Sequence, residues 1–345
     1  MVRKDKYRFS FGPWNIHSGA DPFGPAVRKE RTFANKIKEY KKLGFDGVQL
    51  HDDDVVPADW DAIQTKRGVA RVRKMIEGEG LAPEFIAPRL WEDPRTIDGG
   101  ITNNNVNERQ YAIDRSKRSV DIANMIGAQL IVWWPAREGT YLRESKDAVA
   151  SIGRMVEWLD ILLDHDPNIK ILGEMKPNEP MDQAYSPTVG HFLGLSYRTK
   201  DPKRVGALIE SAHSILAGLD PADDMAYALW HGKLWSVHLN DQNGLKYDQD
   251  RSFGAVNLRR AFNQVDVLDQ NGFGLNGEYV GLDVKALRTQ KDADATLHLK
   301  NSREVFNLLL QISRSIDRKQ LETYRARRNY EALDMLIMKQ LMNVK

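Results

Sequence analysis

Short apolar runs alternate with longer segments of helical periodicity along nearly the whole chain. The strand-like runs are residues 7–11, 47–50, 83–87, 128–134, 170–175, 205–209, 234–239 and 277–284. Between them lie charged, periodic segments such as 31–43, 108–126, 145–164 and 257–271. Strands separated by helices run parallel, because each helix carries the chain back to the edge where the next strand starts. Eight such strands close a barrel, so the pattern predicts an α/β fold of the (β/α)8 TIM-barrel type over residues 1–316. An open doubly wound sheet is the competing arrangement. It would put a glycine-rich phosphate loop after an early strand, and Gly12-Pro13-Trp14 is no such loop. After a last helical segment at 294–315, residues 318–344 are charged and helical in pattern but bring no further strand. They read as a C-terminal helical arm, 317–345, packed outside the barrel.

Charge and cysteine content remove several function classes. Fifty Lys and Arg face 48 Asp and Glu, a net charge of +2, with the signs mixed throughout. That balance offers no basic groove to a nucleic-acid backbone, so a nuclease is not expected, and no basic face to an anionic membrane. The chain has no cysteine, which excludes disulfides, thiolate metal sites and cysteine nucleophiles and agrees with a reducing compartment. Met1-Val2-Arg3-Lys4-Asp5-Lys6 lacks an apolar signal core, and no run reaches membrane-span length. The expected location is the cytoplasm.

Barrel enzymes keep their chemistry at the carboxyl ends of the strands. There this chain carries His51-Asp52-Asp53-Asp54 after the second run, Trp134 after the fourth, and Glu174 and Lys176 after the fifth. Glu210 ends the sixth with His213 three residues on, and His238 lies in the seventh with Asp248 and Asp250 in its loop. Asp283 and Lys285 end the eighth. Each has an ordinary explanation alone: a loop histidine, a solvated acidic turn, a solvent-facing lysine. Their convergence on one rim does not. Burying them unpaired is strongly unfavourable, whereas a shared divalent metal would neutralise them together. Carboxylates, imidazoles and tryptophans in one place point to metal-assisted chemistry on a polyhydroxylated small molecule, because aromatic rings suit the apolar faces of sugars.

Longer motifs occur in a set order: Phe11-Gly12-Pro13-Trp14 with Asp21-Pro22-Phe23-Gly24, then His51-Asp52-Asp53-Asp54, then Trp134 with Arg137-Glu138-Gly139. Glu174-Met175-Lys176-Pro177-Asn178-Glu179-Pro180 follows, and then Asn240 through Asp250 with Phe253-Gly254-Ala255. In these the chain resembles the xylose isomerases, divalent-metal aldose–ketose isomerases built on a (β/α)8 barrel with a C-terminal helical arm. The resemblance implies two metal sites that share a carboxylate. The first would use Glu174, Glu210, Asp283 and His238, and the second Glu210, His213, Asp248 and Asp250. Such oxygen-rich sites suit Mg, Mn or Co. It further implies that His51, oriented by Asp54, opens the cyclic sugar, and that Lys176 donates to the carbonyl oxygen at carbon one while a hydride shifts between carbons one and two. Lys285 would sit near the second metal's water. Trp14, Trp91 and Trp134 would wall the pocket, and Phe23 would complete a neighbouring subunit's site in a homo-oligomer, a dimer or a tetramer.

Departures from that pattern concern the substrate. His238 stands where the xylose isomerases carry an aspartate. An imidazole there removes one negative charge and moves the preference toward Mn, Co, Ni or Zn. Rhamnose isomerases, on the same barrel, carry a histidine at the equivalent ligand. Ala87, Arg89 and Trp91 replace a threonine, an asparagine and a phenylalanine of the family's pocket, Met175 replaces a proline, and Pro135-Ala136 replace two glycines. The expectation is a metal-dependent aldose–ketose isomerase, acting on xylose or glucose or on a different sugar. The alternatives are a related barrel that epimerises a sugar or cleaves a glycoside by hydrolysis or elimination, and a weakly active homologue that keeps its metals.

Overall fold

A computed structural model describes residues 6–19 and 23–343. Asp21 and Pro22 of the sequence motif lie outside the described residues, as does Val344 at the end of the expected arm. Eight strands form the barrel: β1 (Phe9–Phe11), β2 (Gly47–His51), β3 (Ala82–Ala87), β4 (Leu130–Trp133), β5 (Lys170–Glu174), β6 (Val205–Glu210), β7 (Leu234–Leu239) and β8 (Val280–Leu282). Every pairing between neighbours is parallel, and β8 closes on β1 with Phe9 opposite Val280 and Phe11 opposite Leu282. The expected (β/α)8 barrel is therefore the fold. Some predicted runs overshoot their strands. Tyr7 and Ala128 are 2 % exposed yet lie outside the ladder, so burial alone gave them the look of strand residues.

The crossover helices are α1 (Phe33–Leu43), α2 (Ala62–Gly78), α3 (Val106–Ile126), α4 (Ala148–His165), α5 (Val189–Ser196), α6 (Pro221–Trp230), α7 (Leu258–Gln270) and α8 (Leu297–Ser315). Local chemistry sets their ends. The Thr32 side chain accepts from the Asn35 amide at the start of α1, and Gly44 (φ 76°) turns the chain out of it in a left-handed conformation that favours glycine. Asp61 and Gln64 form a reciprocal cap on α2. Apolar residues three or four apart, such as Met155, Trp158, Leu159 and Leu162 on α4, face the strands and build the main core.

Two short helices extend strands directly onto the rim: Asp52–Val55 after β2 and Ser211–Leu216 after β6. An antiparallel ribbon, Gly139–Thr140 with Gln183–Ala184, ties the loops after β4 and β5. The C-terminal arm is two helices, α9 (Arg318–Ala326) and α10 (Tyr330–Leu341). Arg328 between them has φ 53°, and Asn329 caps the second. Leu321 and Ile337 are buried in the main core, and ion pairs Arg318–Asp266 and Arg259–Asp334 hold the arm to α7 of its own barrel. Among the described residues no helix is long and apolar enough to cross a membrane.

Candidate active site

A cavity of about 630 Å³ opens at the carboxyl ends of the barrel strands. At its floor Glu174 of β5, Glu210 of β6, His238 of β7 and Asp283, just beyond β8, bring ligand atoms within 4.8 Å of one another. His238 Nδ1 lies 3.2 Å from Glu174 Oε1 and 3.5 Å from Glu210 Oε2. Asp283 is held by the indole N–H of Trp14 (3.0 Å) and the side-chain amide of Asn15 (3.3 Å). Burial pushes the Glu210 and Asp283 carboxyls up, and neighbouring carboxylates add to this. Burial acts the same way on Glu174, but the adjacent His238 outweighs it and holds the carboxyl down. His238 is itself raised well above the ordinary imidazole range, because Glu174 overcomes the effect of burial.

A second group shares Glu210. His213 Nε2 lies 3.3 Å from Glu210 Oε1 and 3.2 Å from Asp248 Oδ2, all within 4.8 Å. Asp250, expected with these residues, is not among them. Its carboxylate pairs with Lys285, whose backbone N–H also donates to the Asp250 carbonyl at 2.7 Å. Lys176 donates to Asp248 and to Glu179, both at 3.0 Å, and these carboxylates hold its ammonium protonated against the effect of burial.

Both groups fit a divalent cation. Glu174, Glu210 and Asp283 are crowded together with no lysine or arginine paired to them among the described residues. Asp248 Oδ1 and His213 Nδ1 are buried without a hydrogen-bond partner among those residues. Buried polar atoms are rarely left so, and mixed carboxylate and imidazole donors match hard to borderline divalent ions.

Beside the floor, His51 Nδ1 lies 3.1 Å from Asp54 Oδ2 and also 2.7 Å from the Arg89 guanidinium. Asp54 can only accept and Arg89 can only donate, so they call for opposite states of one nitrogen. The contact with His51, with Arg89 adding to it, holds the Asp54 carboxyl down against burial. Arg89 is anchored to Asp53 and Glu92, and Arg115 makes two contacts to the fully buried Asp52 beneath them.

The walls are aromatic. Trp14 packs 4.3 Å from the His51 ring, Trp91 meets Trp134 edge-on at 4.7 Å, and the Lys176 ammonium lies 5.3 Å from the Trp134 ring. Ala87 lines the cavity, where its small side chain leaves room beside Phe85. Phe23 sits at the mouth of its own chain's cavity, 63 % exposed and 4.6 Å from the Tyr247 ring.

Three further contributors are given no role by the sequence, although Glu179 and Asn240 stand within its longer motifs. Asn240 donates to Glu210 (2.9 Å), Asp250 (3.1 Å) and the Asp283 carbonyl (2.9 Å), tying three strand ends together. Its place two residues after His238 puts it on the same face of the chain, a hint beside its place at the head of the Asn240–Asp250 motif. Glu179 supports Lys176, and Gln49 reaches His238 Nε2 at 3.1 Å from inside the barrel.

A family model described as a xylose isomerase-like TIM barrel matches residues 37–293. Among solved structures the chain is similar to the apo form of the 3-keto-D-glucoside 4-epimerase of E. coli, with 14 % identity, TM-score 0.64, and coverage of 88 % of this chain and 99 % of that one. It is also similar to a xylose isomerase domain protein from Alicyclobacillus acidocaldarius (15 %, TM-score 0.61, 89 % and 99 %). An L-ribulose 3-epimerase matches at 14 %, TM-score 0.62, over 90 % and 96 %. At these identities the likeness is one of fold.

Proposed function

The chain belongs to the xylose isomerase-like TIM-barrel family, and from that premise we propose that it is a divalent-metal sugar isomerase that interconverts an aldose and its ketose. The observation that carries this reading is the convergence of Glu174, Glu210, His238 and Asp283 on the floor of an aromatic-walled cavity. These four would hold one cation, and Glu210, His213 and Asp248 a second. Bound there, a divalent ion would bind the hydroxyl and carbonyl oxygens of the open-chain sugar and stabilise negative charge developing on them.

The remaining chemistry falls to the chain's own groups. Lys176, kept as a buried ammonium, donates a hydrogen bond to the carbonyl oxygen at carbon one as a hydride moves from carbon two to carbon one, while the hydroxyl proton at carbon two passes to the oxygen at carbon one. His51 moves the proton that opens the ring: in the state in which Asp54, not Arg89, partners Nδ1, that nitrogen carries the proton and Nε2 accepts from the anomeric hydroxyl. Trp14, Trp91 and Trp134 cover the apolar faces of the sugar and exclude water. Asp250 and Lys285 act as a pair at the edge of the second group.

One observation favours a second reading, epimerisation by proton transfer. Glu174 and Asp283 bring two carboxyls to the same site, so one is placed to take a proton and the other to return it. Two of the fold relatives are named as epimerases. The test is to incubate the metal-loaded protein with a panel of aldoses and ketoses in deuterated water and follow products by NMR. A ketose or aldose free of solvent deuterium is the expected result. An epimer carrying one deuterium at the inverted carbon would replace isomerisation with epimerisation. No conversion of any pentose, hexose or deoxyhexose would refute both.

A further inference from the structure

Beneath the site, inside the barrel, lies a carboxylate that the proposed chemistry does not use. Glu84 of β3 is 4 % exposed, with no cation against it among the described residues. It accepts from Ser10 Oγ, from Ser236 Oγ at 2.7 Å and from Gln49 Nε2 at 3.1 Å. The other end of the same amide, Gln49 Oε1, lies 3.1 Å from His238 Nε2. Two backbone features make this possible. Val48 and Gln49 pair with Pro83 and Phe85, so Glu84 is the extra residue of a β-bulge, a device that re-aims a side chain. Gly281 of β8 leaves the space, since a Cβ there would lie 2.5 Å from Gln49 Nε2 and 2.4 Å from the Val237 carbonyl oxygen.

We infer that Glu84 and Gln49 form a relay that fixes which nitrogen His238 presents to the metal. The inference rests on the metal reading above. A carboxylate only accepts, so Gln49 turns its NH₂ toward Glu84. Its carbonyl oxygen then faces His238 and can only accept, so His238 carries a proton on Nε2. Nδ1 is left as the ligand, on the side of Glu174 and Glu210. A buried carboxylate with no cation is unfavourable in a barrel core that a valine or leucine would fill. Orienting a ligand gives that burial a purpose, because the outer partner of a metal-bound histidine sets its tautomer. Glu84 and Gln49 are thus positioning residues.

The test uses the full-length, ¹⁵N-labelled protein, with Zn²⁺ binding measured by calorimetry and the His238 ring read in long-range ¹H–¹⁵N spectra, assigned with His238→Gln. In the wild-type protein with Zn²⁺, a slowly exchanging proton on Nε2 and a metal-shifted Nδ1 are expected. The reverse pattern, metal on Nε2, overturns the relay whatever the variants do. In Glu84→Gln the amide at 84 can face either way and no longer dictates Gln49. Zn²⁺ binding should weaken about 10- to 100-fold and the Nε2–H resonance should broaden or vanish. Ser236→Ala, which takes one donor from Glu84 and leaves Gln49 in place, should keep both at wild-type values. A Glu84→Gln protein with unchanged affinity and an intact Nε2–H resonance refutes the relay. If wild type binds no Zn²⁺, the metal reading fails and the apo spectra decide: an Nε2–H protected in wild type but lost or broadened in Glu84→Gln supports the relay, and an Nε2–H absent from wild type or the same in both overturns it.

Discussion

Glu210 is the carboxylate through which the two candidate metal groups meet, so Glu210→Gln separates electrostatics from packing. Its oxygens lie 3.3 Å from His213 Nε2 and 3.5 Å from His238 Nδ1, and it accepts from Asn240 at 2.9 Å. Burial raises its pKa, and the Asp248 and Glu174 charges reinforce the rise against His213. A carboxyl raised in the fold contributes stability at low pH and loses it as pH climbs through the folded pKa. At pH 8 without metal, ionised Glu210 therefore weighs against the fold. With that charge removed, the neutral amide, still accepting from Asn240, should stabilise the metal-free protein. At about 2.1 cal/mol/K per residue over 345 residues, unfolding entropy is about 0.7 kcal/mol/K, so Tm should rise by about 1.4 °C for each kcal/mol gained. A cation at 100 times its Kd should give wild type about 2.7 kcal/mol, or about 4 °C, while the variant should gain less than about 1 °C. Scanning calorimetry at pH 8, in chelator and in excess Mn²⁺, reads both. A variant that melts below wild type in chelator yet keeps the full metal-dependent rise would refute the reasoning.

Two further predictions concern the supports of the site. Arg115 is 7 % exposed at its side chain and holds Asp52 through contacts of 2.8 and 3.0 Å. Arg115→Met strands that buried charge and should destabilise by about 3–5 kcal/mol in urea unfolding, with Arg115→Met/Asp52→Asn recovering most of the loss; a single-variant loss under about 1 kcal/mol would show that the pair does not hold the rim. His298 is pushed down to about 4 by burial, against its 2.9 Å hydrogen bond to the Asn15 carbonyl. Because the unfolded imidazole takes up its proton near 6.5, stability is full above that pH and falls as pH drops toward 4. Between pH 7 and pH 5 wild type should lose about 2 kcal/mol more than His298→Gln in urea midpoints, and equal losses would reject the assignment.

The barrel is legible in the sequence for a specific reason. Strands such as β6 (Val205–Glu210) and β2 (Gly47–His51) are buried along their whole length, so each reads as a nearly unbroken apolar run with a charged end. What the pattern cannot supply is hydrogen bonding, and Tyr7 and Ala128 are apolar for packing alone. The break in the arm at Arg328 is equally silent. Its left-handed backbone sits in a residue type that seldom adopts it, and no glycine marks the turn.

The site is legible where a charge follows a strand and obscure where polarity hides within one. Glu174, Glu210, His238 and Asp283 stand out because an apolar run stops or is interrupted at each. Asp250 is legible by its spacing from Asp248, but its partner is not. That spacing suggests a shared metal, but the residue that meets its carboxylate, Lys285, comes from the far side of α7 and is a matter of tertiary closure. Ser10, Gln49, Glu84 and Ser236 show it more fully. In a linear pattern each is a polar residue inside a strand, and alternation would send it toward solvent. Closing the barrel turns all four inward onto one another, directly beneath His238. The residue whose type first set this chain apart from the xylose isomerases is thus also the one with its own polar support. An aspartate at 238 has two equivalent oxygens and no tautomer to fix, whereas an imidazole must be told which nitrogen to offer, and Gln49 and Glu84 are arranged to do that.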